Sequence, residues 1–282
     1  MRYQTIVSAE TLLNHLPDPA WVIVDCRFSL AEPDAGRQAW LAGHIRGAHY
    51  AHLDHDLAGP VTPQTGRHPL PAPDALRHVV GGWGVTPRSQ VVAYDDAGGA
   101  MASRLWWLLH WLGHHDVAVL DGGWQGWQTA GYPVSPLQPV ELPSCYPGND
   151  TPHTWLGSDE VQDALEENEI LLVDARAAER FSGRVEPIDP VAGHVPCAVN
   201  RPYQINLDAS GRFKPAEQLR DEFERLLAGR AADEVVHMCG SGVTACHNLL
   251  AMEHAGLSGS RLYPGSWSEW IRSAKRPVAP QT

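Results

Sequence analysis

Val24-Asp25-Cys26-Arg27 returns in the second half of the chain as Val173-Asp174-Ala175-Arg176, and this repetition decides how the whole sequence is read. Other features recur around it in the same order. Ala42-Gly43-His44-Ile45 matches Ala192-Gly193-His194-Val195. The apolar run Gln90–Tyr94, followed by Asp95-Asp96-Ala97-Gly98-Gly99-Ala100, matches Glu234–Met238, followed by Cys239-Gly240-Ser241-Gly242-Val243-Thr244. Each half closes on a pair of tryptophans, Trp124 with Trp127 and Trp267 with Trp270. Self-similarity in register over this length describes two similar domains. Between them, residues 133–152 are dense in Pro and Ser and carry neither helical nor strand periodicity, which marks a connection. The expected organisation is a first domain over 1–135, a linker over 136–152 and a second domain over 153–282.

Within each half, short β-branched runs (Trp21–Val24, Gln90–Tyr94 and Val117–Leu120; Ile170–Val173 and Glu234–Met238) alternate with helical stretches such as Met101–Leu112 and Thr244–His254, the latter stopped by Gly256. Strands separated by helices give an α/β fold, in each domain a mostly parallel sheet with helices on both faces.

Composition narrows the function. The chain has 282 residues, 43% apolar and 19% charged, enough for two real cores. Its net charge of −12 argues against a nucleic-acid groove or an anionic membrane surface, both of which need clustered Lys and Arg. The N-terminus lacks the apolar core of a signal peptide, and no run of about 18 apolar residues offers a membrane span. The five cysteines are scattered and form no C-x-x-C pair, so neither a disulfide framework nor a thiolate zinc site is expected. These features predict a cytoplasmic protein acting on a small molecule.

In an open α/β sheet the reactive crevice lies beyond the carboxyl ends of the strands. Cys239 falls there, between a strand and a helix whose positive end faces back toward it. Gly240 and Gly242 allow the main chain to curl so that successive N–H groups converge on an anion. Both effects favour thiolate over thiol, so Cys239 is the candidate nucleophile. Cys26, Cys145, Cys197 and Cys246 lack this setting and read as small buried hydrophobes.

With these motifs the chain resembles, along nearly its whole length, the two-domain rhodanese family, which includes thiosulfate and 3-mercaptopyruvate sulfurtransferases. The resemblance implies tandem rhodanese-like domains and a sulfurtransferase that moves sulfur through a persulfide on Cys239 to a thiol, a thioredoxin-like acceptor or cyanide. The loop Cys239-Gly240-Ser241-Gly242-Val243-Thr244 is similar to the mercaptopyruvate version, because thiosulfate-preferring members carry basic residues just after the cysteine. Gly240, Gly242, Val243 and Thr244 would then line the donor site. In the first domain the resemblance puts Asp96 in the cysteine's place, leaving that half inactive. Arg180-Phe181-Ser182-Gly183 matches the family's substrate-holding arginine, and a guanidinium suits the task because it can grip a carboxylate with two parallel bonds. A second arginine, usual a few residues later, is missing, since Glu186-Pro187 is followed by Ile188; Arg184 is the candidate replacement. Ser241, His68 and Asp54 match a proposed relay, with His68 and Asp54 contributed by the first domain. No metal and no cofactor are expected, and the chain should act as a monomer on a small anionic sulfur donor.

Three rival readings remain. A dual-specificity phosphatase, which resembles the rhodanese fold, needs Cys-x5-Arg to cradle phosphate, but Ala245 occupies the arginine's position. A non-turnover sulfur carrier or regulatory domain keeps the fold without the catalysis. A metal site at His44, His49, His52 and His55 with Asp54 and Asp56 has spacing that fits no common zinc pattern.

Overall fold

The computed structural model describes residues 2–140, 142–148, 151 and 154–279. Residues 141, 149, 150 and 152 of the expected linker lie outside the described residues, as do 153 and 280–282 of the second domain. The chain divides into two compact units: one is formed by Met1–Gly59, Pro71–Thr151 and Ala209–Phe213, the other by Pro60–Leu70, Pro152–Asp208 and Lys214–Thr282. The division is not collinear. A short excursion from the first half, Pro60–Leu70, belongs to the second unit.

In the first unit the order is β1 (Ile6–Val7), α1 (Ala9–His15), β2 (Trp21–Asp25), α2 (Ala35–Ala42), β3 (His44–Ile45), β4 (His49–Tyr50), α3 (Pro73–Gly82), β5 (Gln90–Tyr94), α4 (Ala102–Trp111), β6 (Val117–Leu120), α5 (Gly123–Thr129) and β7 (Val134–Ser135). Strands β1-β6-β5-β2-β4 form one parallel sheet, and β3 and β7 pair antiparallel beside it. The central strand β5 is buried along its length, the pattern of a strand covered on both faces. Ser144, from the segment expected to be linker, donates its N–H to Gly81 O, and Tyr146 is buried, so this stretch packs on the first unit.

The second unit continues with α6 (Ser158–Glu166), β8 (Leu171–Asp174), α7 (Ala178–Phe181), β9 (Val199–Asn200), α8 (Ala216–Leu227), β10 (Val235–Met238), α9 (Ala245–His254), β11 (Arg261–Leu262) and α10 (Ser266–Trp270). Its four-stranded sheet, β11-β10-β8-β9, is also parallel. Single bridges at Trp155↔Leu262 and His194↔Ala279 stand where the first unit has β1–β6 and β3–β7. In α8, Leu219, Phe223 and Leu227 fall on one buried stripe while charged residues occupy the rest of the helix.

The repeated motifs meet in one buried knot in each unit. Arg27 donates through Nη2 to Asp25 at 2.6 Å and to Gly43 O at 2.8 Å, and lies 4.3 Å from the centre of a Trp124 ring. Arg176 repeats this with Asp174 at 2.7 Å, Gly193 O at 2.8 Å and Trp267 at 4.7 Å. The recurring Asp-x-Arg, the glycine of Gly-His and the first tryptophan of each pair are therefore parts of one structural cluster. Burying ions is costly unless every charge is answered, and here each guanidinium has a carboxylate, a carbonyl and an aromatic face.

Replacing Arg27 by Met would strand the Asp25 carboxylate and should destabilise the first unit by about 3–5 kcal/mol, read from urea unfolding; a loss within error of zero would show that Asp25 is satisfied without it. Burial also lowers the imidazole of His237 to about 3 and those of His49 and His110 to about 4. Unfolded histidine titrates near 6.5, so below that pH the unfolded chain takes up protons that the folded chain refuses. Stability from these groups is present above pH 6.5 and should be lost as pH falls toward 4. Thermal melts across this window should show Tm falling with pH; a flat profile would contradict the burial argument.

Candidate active site

Strand β10 is buried throughout, and Cys239 is the first residue beyond it. The six residues 239–244 then turn the chain into α9. Gly242 takes a φ of +73°, and a Cβ there would lie 2.4 Å from the carbonyl oxygen of Pro264, so only glycine fits. The loop is pinned from α10: the N–H of Trp267 donates to Cys239 O at 3.0 Å and that of Ser268 to Gly240 O at 2.9 Å. Ser266, fully buried with a φ of +53°, accepts the Cys239 N–H on its Oγ at 3.0 Å. A serine in the left-handed region is unusual and is held there by this bond and by its own donation to Tyr263 O. The N–H groups of Gly240, Ser241, Val243 and Thr244 make no hydrogen bond to a protein acceptor among the described residues. Cys239 itself is only 2% exposed.

The first unit holds an internal control for this loop. Cys26 N–H bonds to Tyr94 O as Ala175 N–H bonds to Met238 O, and Trp124 N–H bonds to Asp95 O as Trp267 N–H bonds to Cys239 O. Asp95 is therefore the counterpart of Cys239. This corrects the assignment of that place to Asp96, which is exposed. The shift arises because the first-unit loop spans seven residues (95–101) against six (239–244) in the second. The Asp95 carboxylate is buried and accepts main-chain N–H bonds from Ala97, Gly99, Met101 and Ala102 at 2.7–2.8 Å. Burial raises its pKa, and the four N–H bonds oppose that rise.

Around the second-unit loop the predicted residues divide. Ser241 Oγ and His68 Nδ1 lie 2.7 Å apart, both buried. His68 belongs to the Pro60–Leu70 excursion, so the pair forms within the second unit and not by contribution from the first. Asp54 belongs to the first unit, half-buried, with its N–H donating to His52 Nδ1. Arg180, on α7, donates from Nε and Nη2 to Glu186 and from Nη2 to Asp189 at 3.1 Å. A Cβ at Gly240 would lie 3.6 and 3.7 Å from its Nη1 and Nη2, so its guanidinium stands at the loop. Burial pushes the Glu186 carboxyl up, but the hydrogen bonds from Arg180, Asp189 N–H and Ile188 N–H prevail and hold it below its ordinary value. Arg184 is exposed and turned to Ser182 Oγ, so the structure does not bring it to the loop.

Two residues that sequence reasoning missed stand here instead. Arg67 Nη2 lies 3.1 Å from the position a Gly240 Cβ would take, and Arg67 Nη1 donates to Asp189 at 2.6 Å. Ser266 anchors the cysteine's own N–H. Neither is signalled by spacing, although Arg67 stands next to His68. Among the described residues no group of three or more His, Cys, Asp or Glu is placed to hold a metal ion, and no helix is long and apolar enough to cross a membrane.

The family described as the rhodanese-like domain matches residues 8–130 and again 158–273. The chain belongs to the rhodanese family, as a tandem of two such domains. It is 47% identical to a probable 3-mercaptopyruvate sulfurtransferase of Pseudomonas aeruginosa, over 97% of each chain. It is 35% identical to a putative thiosulfate sulfurtransferase of Mycobacterium tuberculosis, over 98% of this chain and 97% of that one. The solved structure of the Leishmania major 3-mercaptopyruvate sulfurtransferase superposes with a TM-score of 0.85 at 32% identity, covering 98% of this chain and 76% of that one.

Proposed function

We propose that this sulfurtransferase moves sulfur from 3-mercaptopyruvate to a thiol, through a persulfide on Cys239. The observation that carries the mechanism is the Asp95 loop: the same strand-to-helix turn, in the duplicate unit, holds a buried carboxylate on four main-chain N–H groups. A loop of this construction accommodates an anion. In the second unit its amides are available to Cys239, first as thiolate and then as persulfide. Asp95, having no sulfur chemistry, leaves the first unit without a sulfur carrier of its own.

The Cys239 sulfur attacks the donor's sulfur, forming an S–S bond as the donor's C–S bond breaks. The electron pair goes to carbon as pyruvate enolate. That carbon takes the proton carried by the donor thiol, leaving pyruvate and Cys239–S–S⁻. A thiolate acceptor then attacks the outer sulfur and releases Cys239 as thiolate, so the kinetics are ping-pong. Ser241 relays the proton to carbon, a role supported by its 2.7 Å contact with His68 Nδ1. Arg180 holds the donor's carboxylate. Thiosulfate can load the same cysteine, with sulfite leaving and no carbon to protonate. The loop lacks the basic residues of thiosulfate-preferring relatives, which favours mercaptopyruvate. In this reading the acceptor is a thiol or a thioredoxin-like protein and the setting is reducing and cytoplasmic.

Cys239→Ser should lower turnover by at least about 1,000-fold with an unchanged melting profile; substantial residual sulfur transfer would remove Cys239 as the carrier. His68→Gln should lower kcat/KM for 3-mercaptopyruvate by about 100-fold or more while sparing thiosulfate, because only the first donor needs a proton delivered to carbon. Equal loss with both donors, or none with either, would refute the relay.

A further inference from the structure

The donor site as described has a charge problem. Glu186 and Asp189 engage Arg180, and Asp174 and Glu186 engage Arg176. Two guanidiniums facing three carboxylates would repel an anionic donor. Arg67 brings the set to three against three through its bond to Asp189.

We propose that Arg67 is the second anion-binding residue of the donor site, sharing the donor's carboxylate with Arg180 over Gly240, and that Asp189 positions the two guanidiniums. This inference rests on the sulfurtransferase reading and assigns a residue that the reading lacks. Three observations carry it. Both guanidiniums stand against the residue that follows Cys239, at 3.1 Å for Arg67 and 3.6–3.7 Å for Arg180 from the position of a Gly240 Cβ. Asp189, buried, joins them, accepting Arg67 Nη1 on one oxygen at 2.6 Å and Arg180 Nη2 on the other at 3.1 Å. Arg67 keeps a donor unspent: its Nε is buried and has no hydrogen-bond partner among the described residues. A buried N–H without an acceptor is costly, and a bound carboxylate would answer it.

The backbone fixes Arg67 in this place. Gly66 N–H donates to Glu269 and Arg67 N–H to Ser268 Oγ at 3.0 Å, and a Cβ at Gly66 would lie 2.5 Å from Gly265 O, so Gly66 and Arg67 are seated against α10. Arg67 and Asp189 also line, with Ser268, a cavity of about 450 Å³. The arginine expected after Glu186 is thus replaced from a distant stretch of sequence, while Arg184 is turned elsewhere.

The test separates the two half-reactions. With Arg67→Met, kcat/KM for 3-mercaptopyruvate should fall by about 10- to 100-fold, the loss of one charged hydrogen-bonding contact, and Ki for pyruvate as a competitor of the donor should rise in parallel. The kcat/KM for 2-mercaptoethanol as acceptor should stay within about twofold, since ping-pong kinetics isolate it from donor binding. Arg67→Lys, which restores charge but not the planar fork, should recover part of the loss. If Arg67→Met does not fold, Arg67→Gln removes the charge while keeping a hydrogen bond to Asp189 and gives the same readout. An unchanged donor kcat/KM overturns the proposal; so does an equal fall in donor and acceptor constants, which would mark Arg67 as only structural. Wild-type protein that forms no persulfide from either donor would instead overturn the sulfurtransferase reading itself.

Discussion

The guanidinium of Arg176, buried between the Asp174 carboxylate and the face of Trp267, determines where the main chain of Cys239 runs. Asp174 ends one strand, Gly193 contributes a carbonyl from a distant turn, and Trp267 lies in a short helix whose N–H groups hold the carbonyls of Cys239 and Gly240. A buried ion pair adds little net stability, because desolvation consumes most of the Coulombic gain. Its use here is geometric. The pair, the Gly193 carbonyl and the Trp267 ring are satisfied together, and Trp267 in turn holds the carbonyl of Cys239 beyond the end of β10.

The duplicated knot sets a Cys239 loop in one unit and an Asp95 loop in the other on the same scaffold. Both loops curl their amides at the mouth of a helix, and both are tied at the first residue by a tryptophan N–H. In the first unit a carboxylate fills the curl permanently. In the second the Cys239 thiol stands at the matching position, and the N–H groups of Gly240, Ser241, Val243 and Thr244 have no protein acceptor among the described residues. A charge that forms transiently inside a protein needs donors already in place, since reorganising them during the reaction would raise the barrier.

The excursion Pro60–Leu70 is the least regular part of the architecture and carries much of the proposed chemistry. It leaves the first unit, lies against α10 and presents Arg67 and His68 to the loop of the second. Gly66 permits the close approach. The second unit thus carries on a borrowed stretch of chain the two groups that its own sequence does not supply.

Arg180 was singled out by the family resemblance, whereas duplication, the parallel α/β layers and the position of Cys239 between strand and helix were all legible in the sequence. Each is written in local pattern: β-branched runs, glycines where the backbone must curl, motifs repeated in register. The counterpart of Cys239 was misassigned to Asp96 from the family resemblance, because the first loop is longer by one residue; the hydrogen bonds of Tyr94 and Trp124 show that Asp95 takes that place, as counting from the end of the preceding strand also does. Spacing could not reveal that Ser266 holds the cysteine's N–H or that Arg67 stands beside Arg180. Those contacts join residues far apart along the chain, and the close approach that creates them is set by packing, which local sequence does not encode.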